Sequence, residues 1–230
     1  MIIAIDGPSG TGKSTAARSL ARKLGFLYLD TGAMYRAVAL AARAKKISLD
    51  DEKKLAVLAG KIRLQLKPRP GGGLQVLLDG ADVTRKIRHP AIGEAASVIA
   101  AIPGVRRALV RKQQAIGARG KVVAEGRDTT TVVFPKADLK VFLTASAQAR
   151  ARRRFGELKA AGHKVSYRQV LWDLRRRDKR DKTRKDSPLK AARGALRVDN
   201  TSLQADQVFD ILTDYVRRIL YSRKRGCCFD

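Results

Sequence analysis

A short apolar run, Ile2-Ile3-Ala4-Ile5-Asp6, passes directly into Gly7-Pro8-Ser9-Gly10-Thr11-Gly12-Lys13-Ser14 and then Thr15-Ala16-Ala17. The pattern G-x-x-x-x-G-K-S, set between a strand-forming and a helix-forming run, leaves few folds open. Its glycines let backbone N–H groups converge on phosphate oxygens, and the helix N-terminus adds partial positive charge. Lys13 is placed to reach terminal phosphates and Ser14 to offer a hydroxyl to Mg²⁺. The competing reading is a strand–helix turn that merely needs glycine. The full pattern in this context weighs against it.

Downstream of the loop, hydrophobic periodicity alternates between the two classes of element. Residues 13–24 show helical spacing through Ala17, Leu20, Ala21 and Leu24, with Gly25 as the stop. A strand is expected over 26–29. Asp30-Thr31-Gly32 then turns the chain into a helix over about 33–44, and Asp50 or Asp51 can cap another through Leu58. Alternation at 62–66 and in part at 74–78, around Pro68-Arg69-Pro70-Gly71-Gly72-Gly73, predicts a β-hairpin with a long flexible tip, followed by a turn at Asp79-Gly80. Residues 62–88 therefore read as an antiparallel insertion. Helices are expected at 90–101 and 103–116, each opened by proline. Strands follow at 121–124 and 139–143, helices at 147–161 and 167–177, a short strand at Arg197-Val198 and a final helix at 203–220. Strands alternating with helices imply a mostly parallel sheet covered on both faces, with the ligand at the strands' carboxyl ends. The phosphate loop, Asp30-Thr31-Gly32 and Gly126-Arg127-Asp128 all fall there.

Composition bounds the function classes. The 230 residues carry 44% apolar side chains, enough for a core, and form one large domain or two small ones. No apolar stretch approaches the roughly 18 residues of a membrane span. The phosphate loop begins so early that no secretory signal is expected. Cys227 and Cys228 cannot frame a fold, which suits a cytoplasmic protein with reduced thiols. A net charge of +28 implies polyanionic partners such as nucleotides, nucleic acid or anionic membrane. With only 5% aromatic residues and no zinc-ligand spacing, a basic surface around a phosphate site is favoured over a nucleic-acid role.

Arg175 through Lys185 holds eight basic residues in eleven. Such a run can be a solvated face, a nucleic-acid patch or a lid; next to a phosphate loop the lid is favoured, because hinged arginines can close over a transferring phosphoryl group. Arg127-Asp128 at a strand end is either a structural ion pair or a ligand-binding pair. His89 and His163 read as isolated loop histidines. No general base is visible, which fits an acceptor that is already anionic: a phosphate monoester has its second pKa near 6.

In order along the chain, Ile5 to Ser14, Leu29-Asp30-Thr31-Gly32-Ala33-Met34-Tyr35-Arg36, Asp82-Val83-Thr84 to Ile87-Arg88, Gly126-Arg127-Asp128 with Thr131 to Pro135, and Arg177-Asp178 to Asp181 and Arg184 resemble the bacterial cytidylate kinases, nucleoside monophosphate kinases of the P-loop class. The resemblance spans about residues 2–220. It implies a three-layer α/β fold with a parallel central sheet, an antiparallel-strand insert in the monophosphate-binding region and an arginine-rich lid. A single domain over 1–221 is expected, with the insert at about 33–106, the lid at about 155–190 and a disordered basic tail at 222–230. The implied reaction is transfer of the ATP γ-phosphoryl group to CMP or dCMP with Mg²⁺ as cofactor, by a cytoplasmic monomer.

By motif position the resemblance implies an ATP site of Gly7, Pro8, Ser9, Gly10, Thr11, Gly12, Lys13, Ser14, Thr15 and Arg153. Ser14 is the metal-side hydroxyl, and Asp30 is a weaker metal candidate. Lys13, Arg127, Arg177 and Arg184 are the implied catalytic cations. The implied CMP contacts are Thr31, Tyr35, Arg36, Arg127, Arg177, Asp181 and Arg184, with Ser97, Arg106 and Asp128 reading the base. Cytosine offers an amine donor and two ring acceptors, which suits a carboxylate and a guanidinium. One departure is notable. The family usually places an apolar residue and glycine after Gly-Arg-Asp, where this chain has Thr129-Thr130, so that turn must form without glycine. A kinase for UMP or a small hydroxylated acceptor is the runner-up, and a nucleic-acid binder with an inert nucleotide site is the reading from another class.

Overall fold

A computed structural model describes residues 1–69 and 73–225; the expected hairpin tip at 70–72 and the cysteine tail at 226–230 lie outside the described residues. Strand β1 (Ile2–Asp6) is flanked by β6 (Val122–Gly126) and β7 (Leu139–Thr144), with β2 (Leu27–Asp30) and β8 (Leu196–Asp199) outermost. The order β2-β6-β1-β7-β8 is parallel throughout. Helices α1 (Lys13–Leu24) and α8 (Ala205–Arg225) cover one face, packed on Ile3, Ile5 and Val141. Helices α2 (Thr31–Ala44), α3 (Glu52–Lys61), α4 (Pro90–Ile99) and α5 (Pro103–Gly117) gather on the other, around Ala4, Leu29 and Ala124. Central strands buried on both faces need continuous apolar sequence, which Ile2-Ile3-Ala4-Ile5 supplies. The α/β class and the antiparallel insert are as expected.

Boundaries moved where tertiary contacts overrode local pattern. Strand β2 runs one residue later than expected, because its parallel register pairs Leu27 with Val122 and Asp30 with Glu125. Asp30 then caps α2 by accepting from the Ala33 N–H at 2.7 Å, so that helix starts at Thr31. Ile62, expected to open the hairpin, is instead the buried C-cap residue of α3. Strand β3 (Leu64–Pro68) pairs with β4 (Leu74–Leu78), and a two-residue β5 (Ala81–Asp82) adds a third strand.

The largest difference concerns the basic run. Helix α6 (Ala147–Ala160) and α7 (Tyr167–Thr183) pack as a hairpin around Ala151, Val170 and Leu174. Helix α7 continues six residues past its expected end at Arg177, so most of the arginine-rich segment is helical. Its inward side continues from Leu174 to the buried Asp181, which gives the last turns partners that the run of charges does not advertise.

Candidate active site

The phosphate loop follows β1 and is held from behind. A Cβ on Gly7 would lie 2.0 Å from the Leu143 carbonyl oxygen, so only glycine lets the loop leave the sheet here. Gly12, at φ 78°, is in the left-handed region and starts α1. Arg150 donates to the Ser9 carbonyl (3.0 Å), and Asn200 Nδ2 donates to the Thr11 carbonyl (2.6 Å). Arg153 donates to both oxygens of Asn200 (2.6 and 3.1 Å), which places it behind the loop through that residue. Lys13 is buried, and its Nζ donates to the Pro8 carbonyl at 2.7 Å. Burial first, then the nearby Arg127 and Arg177, lower the Lys13 pKa to about 7 against the opposing pull of Glu125 and Asp6. Ser14 is half-buried and Thr15 exposed, at the first turn of α1.

Across the sheet end, the strands deliver a ring of cations. Asp30 accepts from Arg36 at 3.1 Å and from Arg88 at 3.3 Å. Burial would raise the Asp30 pKa, but these two guanidiniums and the Ala33 N–H outweigh it and hold the carboxyl below its usual range. Both oxygens are therefore engaged, which makes Asp30 a poor metal ligand. Thr31 Oγ1 donates to the Glu125 carbonyl at 2.7 Å. Arg127 does not pair with its neighbour Asp128. It donates through Nε to Asp181 of α7 at 2.9 Å, while Asp128 pairs with Arg106 and lies 3.8 Å from Arg184. The Arg106 guanidinium sits 5.8 Å from the centre of the Tyr35 ring. Burial drives the Arg177 pKa down to about 10 and that of Tyr35 up to about 12.

These residues share one property. Tyr35 Oη, Arg36 Nε, Ser97 Oγ, Arg106 Nε, Arg177 Nε and Arg184 Nη2 are buried and have no hydrogen-bond partner among the described residues. Buried polar atoms are nearly always satisfied, so a cluster of unsatisfied donors marks a place for a polar ligand. Arg127, Arg177 and Asp181 meet beside Lys13, which brings the two halves of the expected site together.

The turn after Asp128 answers the missing glycine. Asp6, fully buried at the end of β1, accepts from the N–H and the hydroxyl of Thr129 (2.9 and 2.6 Å) and from the N–H and hydroxyl of Thr130 (2.7 and 2.6 Å). Residues Thr129–Val133 form one π-helical turn. The two threonines thus replace backbone freedom with side-chain bonds. Sequence reading assigned Asp6 no role, although an acid closing a buried apolar strand was a signal for one. Arg88, at the end of the run from Asp82, likewise joins the site through Asp30, a partner that the sequence does not indicate. His89 and His163 are not isolated: their rings lie 6.5 Å apart, edge to face, and His89 Nδ1 caps α4 by accepting from the Ala91 N–H.

Comparison with known proteins shows the family. The family model for cytidylate kinase matches residues 3–218. The cytidylate kinase of Pelotomaculum thermopropionicum is 49% identical over 210 residues, covering 91% of this chain and 93% of its own. That of Carboxydothermus hydrogenoformans is 48% identical over 218 residues, covering 95% and 98%. Among solved structures, an uncharacterised protein from Eubacterium ventriosum has the same fold, with a TM-score of 0.53, 12% identity and coverage of 95% of this chain and 98% of its own.

Proposed function

The chain belongs to the cytidylate kinase family, and on that premise we propose that it transfers the γ-phosphoryl group of ATP to CMP or dCMP, giving ADP and the pyrimidine diphosphate. The observation that supports this reading most directly is the set of buried, unpartnered donors from Tyr35 to Arg184 opposite the phosphate loop. ATP lies on residues 7–15 with Arg153 beside it. The acceptor phosphate lies among Arg36, Arg127, Arg177 and Arg184, with Thr31, Tyr35 and Asp181 around it. An oxygen of the CMP phosphate attacks the γ-phosphorus and the bond to the ADP oxygen breaks. No side chain has to remove a proton, because the acceptor is already ionised near pH 7. Lys13 and the arginines offset charge on the equatorial oxygens, which is most of what such catalysis requires.

The donor set also fits Mg²⁺, a hard cation that keeps few protein ligands and takes phosphate oxygens. With Asp30 engaged by Arg36 and Arg88, the Ser14 hydroxyl is the protein oxygen that would hold it. When bound with ATP, the metal supplies further charge neutralisation.

We assign residues 33–106 to the monophosphate-binding insert and 155–190 to the lid. Arg176 and Arg180 of α7 both reach Glu94 of α4, at 3.0 and 2.9 Å, so the lid helix spans to the insert across the site. Closure of that segment would exclude water from the transferring group. Among the described residues no helix is long and apolar enough to cross a membrane. A cytoplasmic monomer is our reading of the working form.

Base selectivity tests the acceptor assignment. Asp128→Asn keeps the side-chain shape and one oxygen for Arg106 but removes the carboxylate that would accept the cytosine amine. The kcat/KM ratio of CMP over UMP should fall by about 10–100-fold, the value of one to two mispaired hydrogen bonds in a buried site. An unchanged ratio in parallel assays would remove Asp128 from base reading.

Lys13 gives a pH signature. Its pKa near 7 means that much of it is neutral above that pH, whereas bound phosphates favour the ammonium form. ATP binding should therefore take up a proton at pH 8 and weaken as pH rises beyond 7. Calorimetric titrations in two buffers of different ionisation heat measure the uptake. An uptake near zero at pH 8, or affinity that rises with pH, contradicts the assignment.

A further inference from the structure

The activity above uses the inward side of α7 and leaves the outward side unexplained, along with most of the net charge of +28. Arg168, Trp172, Arg175, Lys179 and Lys182 recur at i, i+4, i+7, i+11 and i+14, which places them on one helical stripe. All five are exposed. The opposite side is fixed by the buried Val170, Leu174 and Asp181. The four cations of the stripe make no ion pair among the described residues, whereas Arg176 beside them is tied to Glu94 and Asp173. Trp172, the only tryptophan of the chain, is 55% exposed, and the Arg176 guanidinium lies 4.6 Å from its ring centre. An exposed indole held by an arginine and set within a row of cations that make no ion pair offers a flat stacking face beside a basic track.

We propose that this outer ridge of α7 docks single-stranded RNA. The row extends about 21 Å, fourteen helical rises of 1.5 Å from Arg168 to Lys182, so several successive phosphates can lie along it. Unpaired cations release counterions when they meet a phosphodiester chain. The indole supplies the stacking platform that single-strand binders combine with a basic track. A single strand is favoured over a duplex because Trp172 needs an accessible base face, which a duplex buries. A membrane surface is disfavoured because Trp172 is the single apolar side chain of the stripe, whereas an interfacial helix buries a whole apolar face in lipid. In a cytoplasmic setting the available single strands are mainly RNA.

The experiment titrates the full-length chain with a labelled oligouridine RNA, following both anisotropy and quenching under selective tryptophan excitation. Since Trp172 is the sole tryptophan, quenching reports on the ridge itself. We expect saturable quenching and a slope of log affinity against log salt near −3, from about 0.7 per phosphate over four cations. Trp172→Ala should weaken binding by about tenfold, the loss of one stacked base. The double variant Arg175→Glu with Lys179→Glu should weaken it by on the order of tenfold or more, since each charge reversal removes one cation–phosphate contact. The charge-matched pair Lys53→Glu with Lys61→Glu on the exposed side of α3 should change it less than about threefold, because those cations lie off the ridge. Circular dichroism of each variant confirms that it is folded. Saturated anisotropy without quenching, or equal losses in the two charge-reversed pairs, would overturn the proposal, as would tighter quenching by polyglutamate or by phosphatidylglycerol vesicles.

Discussion

Replacing Arg127 by alanine should lower kcat with CMP by about 10³-fold or more, the range for a guanidinium placed on a transferring phosphoryl group. The residue sits between the phosphate loop and α7: its charge depresses the pKa of Lys13, and its Nε donates to Asp181. Its contribution is expected mainly in kcat, because charge on the equatorial oxygens is largest in the transition state. Arg127→Lys should recover only part of the rate, since an ammonium cannot hold Asp181 and a phosphate through one planar fork. Arg127→Ala leaves Asp181 with only the longer-range attraction of Arg177 and Arg184, so an unfolding measurement must accompany the kinetics. Turnover within tenfold of the parent, in a folded variant, would exclude Arg127 from the chemistry.

Asp6→Ala is expected to cost about 3–5 kcal/mol of stability, because four donors from Thr129 and Thr130 lose a buried acceptor together. For a chain of this size that corresponds to a melting temperature lower by about 6–20 °C. The double variant Thr129→Val with Thr130→Val removes only the hydroxyl bonds and should cost about 2 kcal/mol, leaving the two N–H bonds in place. Both changes should also raise the KM for CMP, since Arg127 and Asp128 immediately precede the anchored turn. Urea unfolding of the three proteins measures the difference, and an Asp6→Ala loss below about 1 kcal/mol would show that the turn holds itself.

Much of the site was legible because its motifs are local. The residues of the phosphate loop are contiguous, and Gly25 ends α1 where the periodicity stops. Asp30-Thr31-Gly32 and Gly126-Arg127-Asp128 follow buried strands, so topology alone brings them to one sheet end. What the sequence concealed are choices between partners. Arg127 and Asp128 are adjacent and of opposite charge, yet each pairs with a residue more than twenty positions away. Both residues lie just past the end of β6, where α7 offers Asp181 to one and α5 offers Arg106 to the other, so the intuitive pair does not form. Likewise the run from Arg175 to Lys185 reads as uniform charge. Helical geometry divides it into an inward set, with Arg177 and Asp181, and an outward set, with Arg175, Lys179 and Lys182.

The order of apolar strands, the glycines of the phosphate loop and the Lys13-Ser14 pair determine by themselves that this chain forms a parallel α/β nucleotide site, because period, steric freedom and charge are properties of neighbouring residues. Only the tertiary structure decides that Asp6 catches Thr129 and Thr130 across 123 and 124 positions, and that Asp30 serves Arg36 and Arg88. A buried carboxylate must be satisfied by whichever donors the packed sheet brings within about 3 Å, and distance along the chain carries no record of that choice.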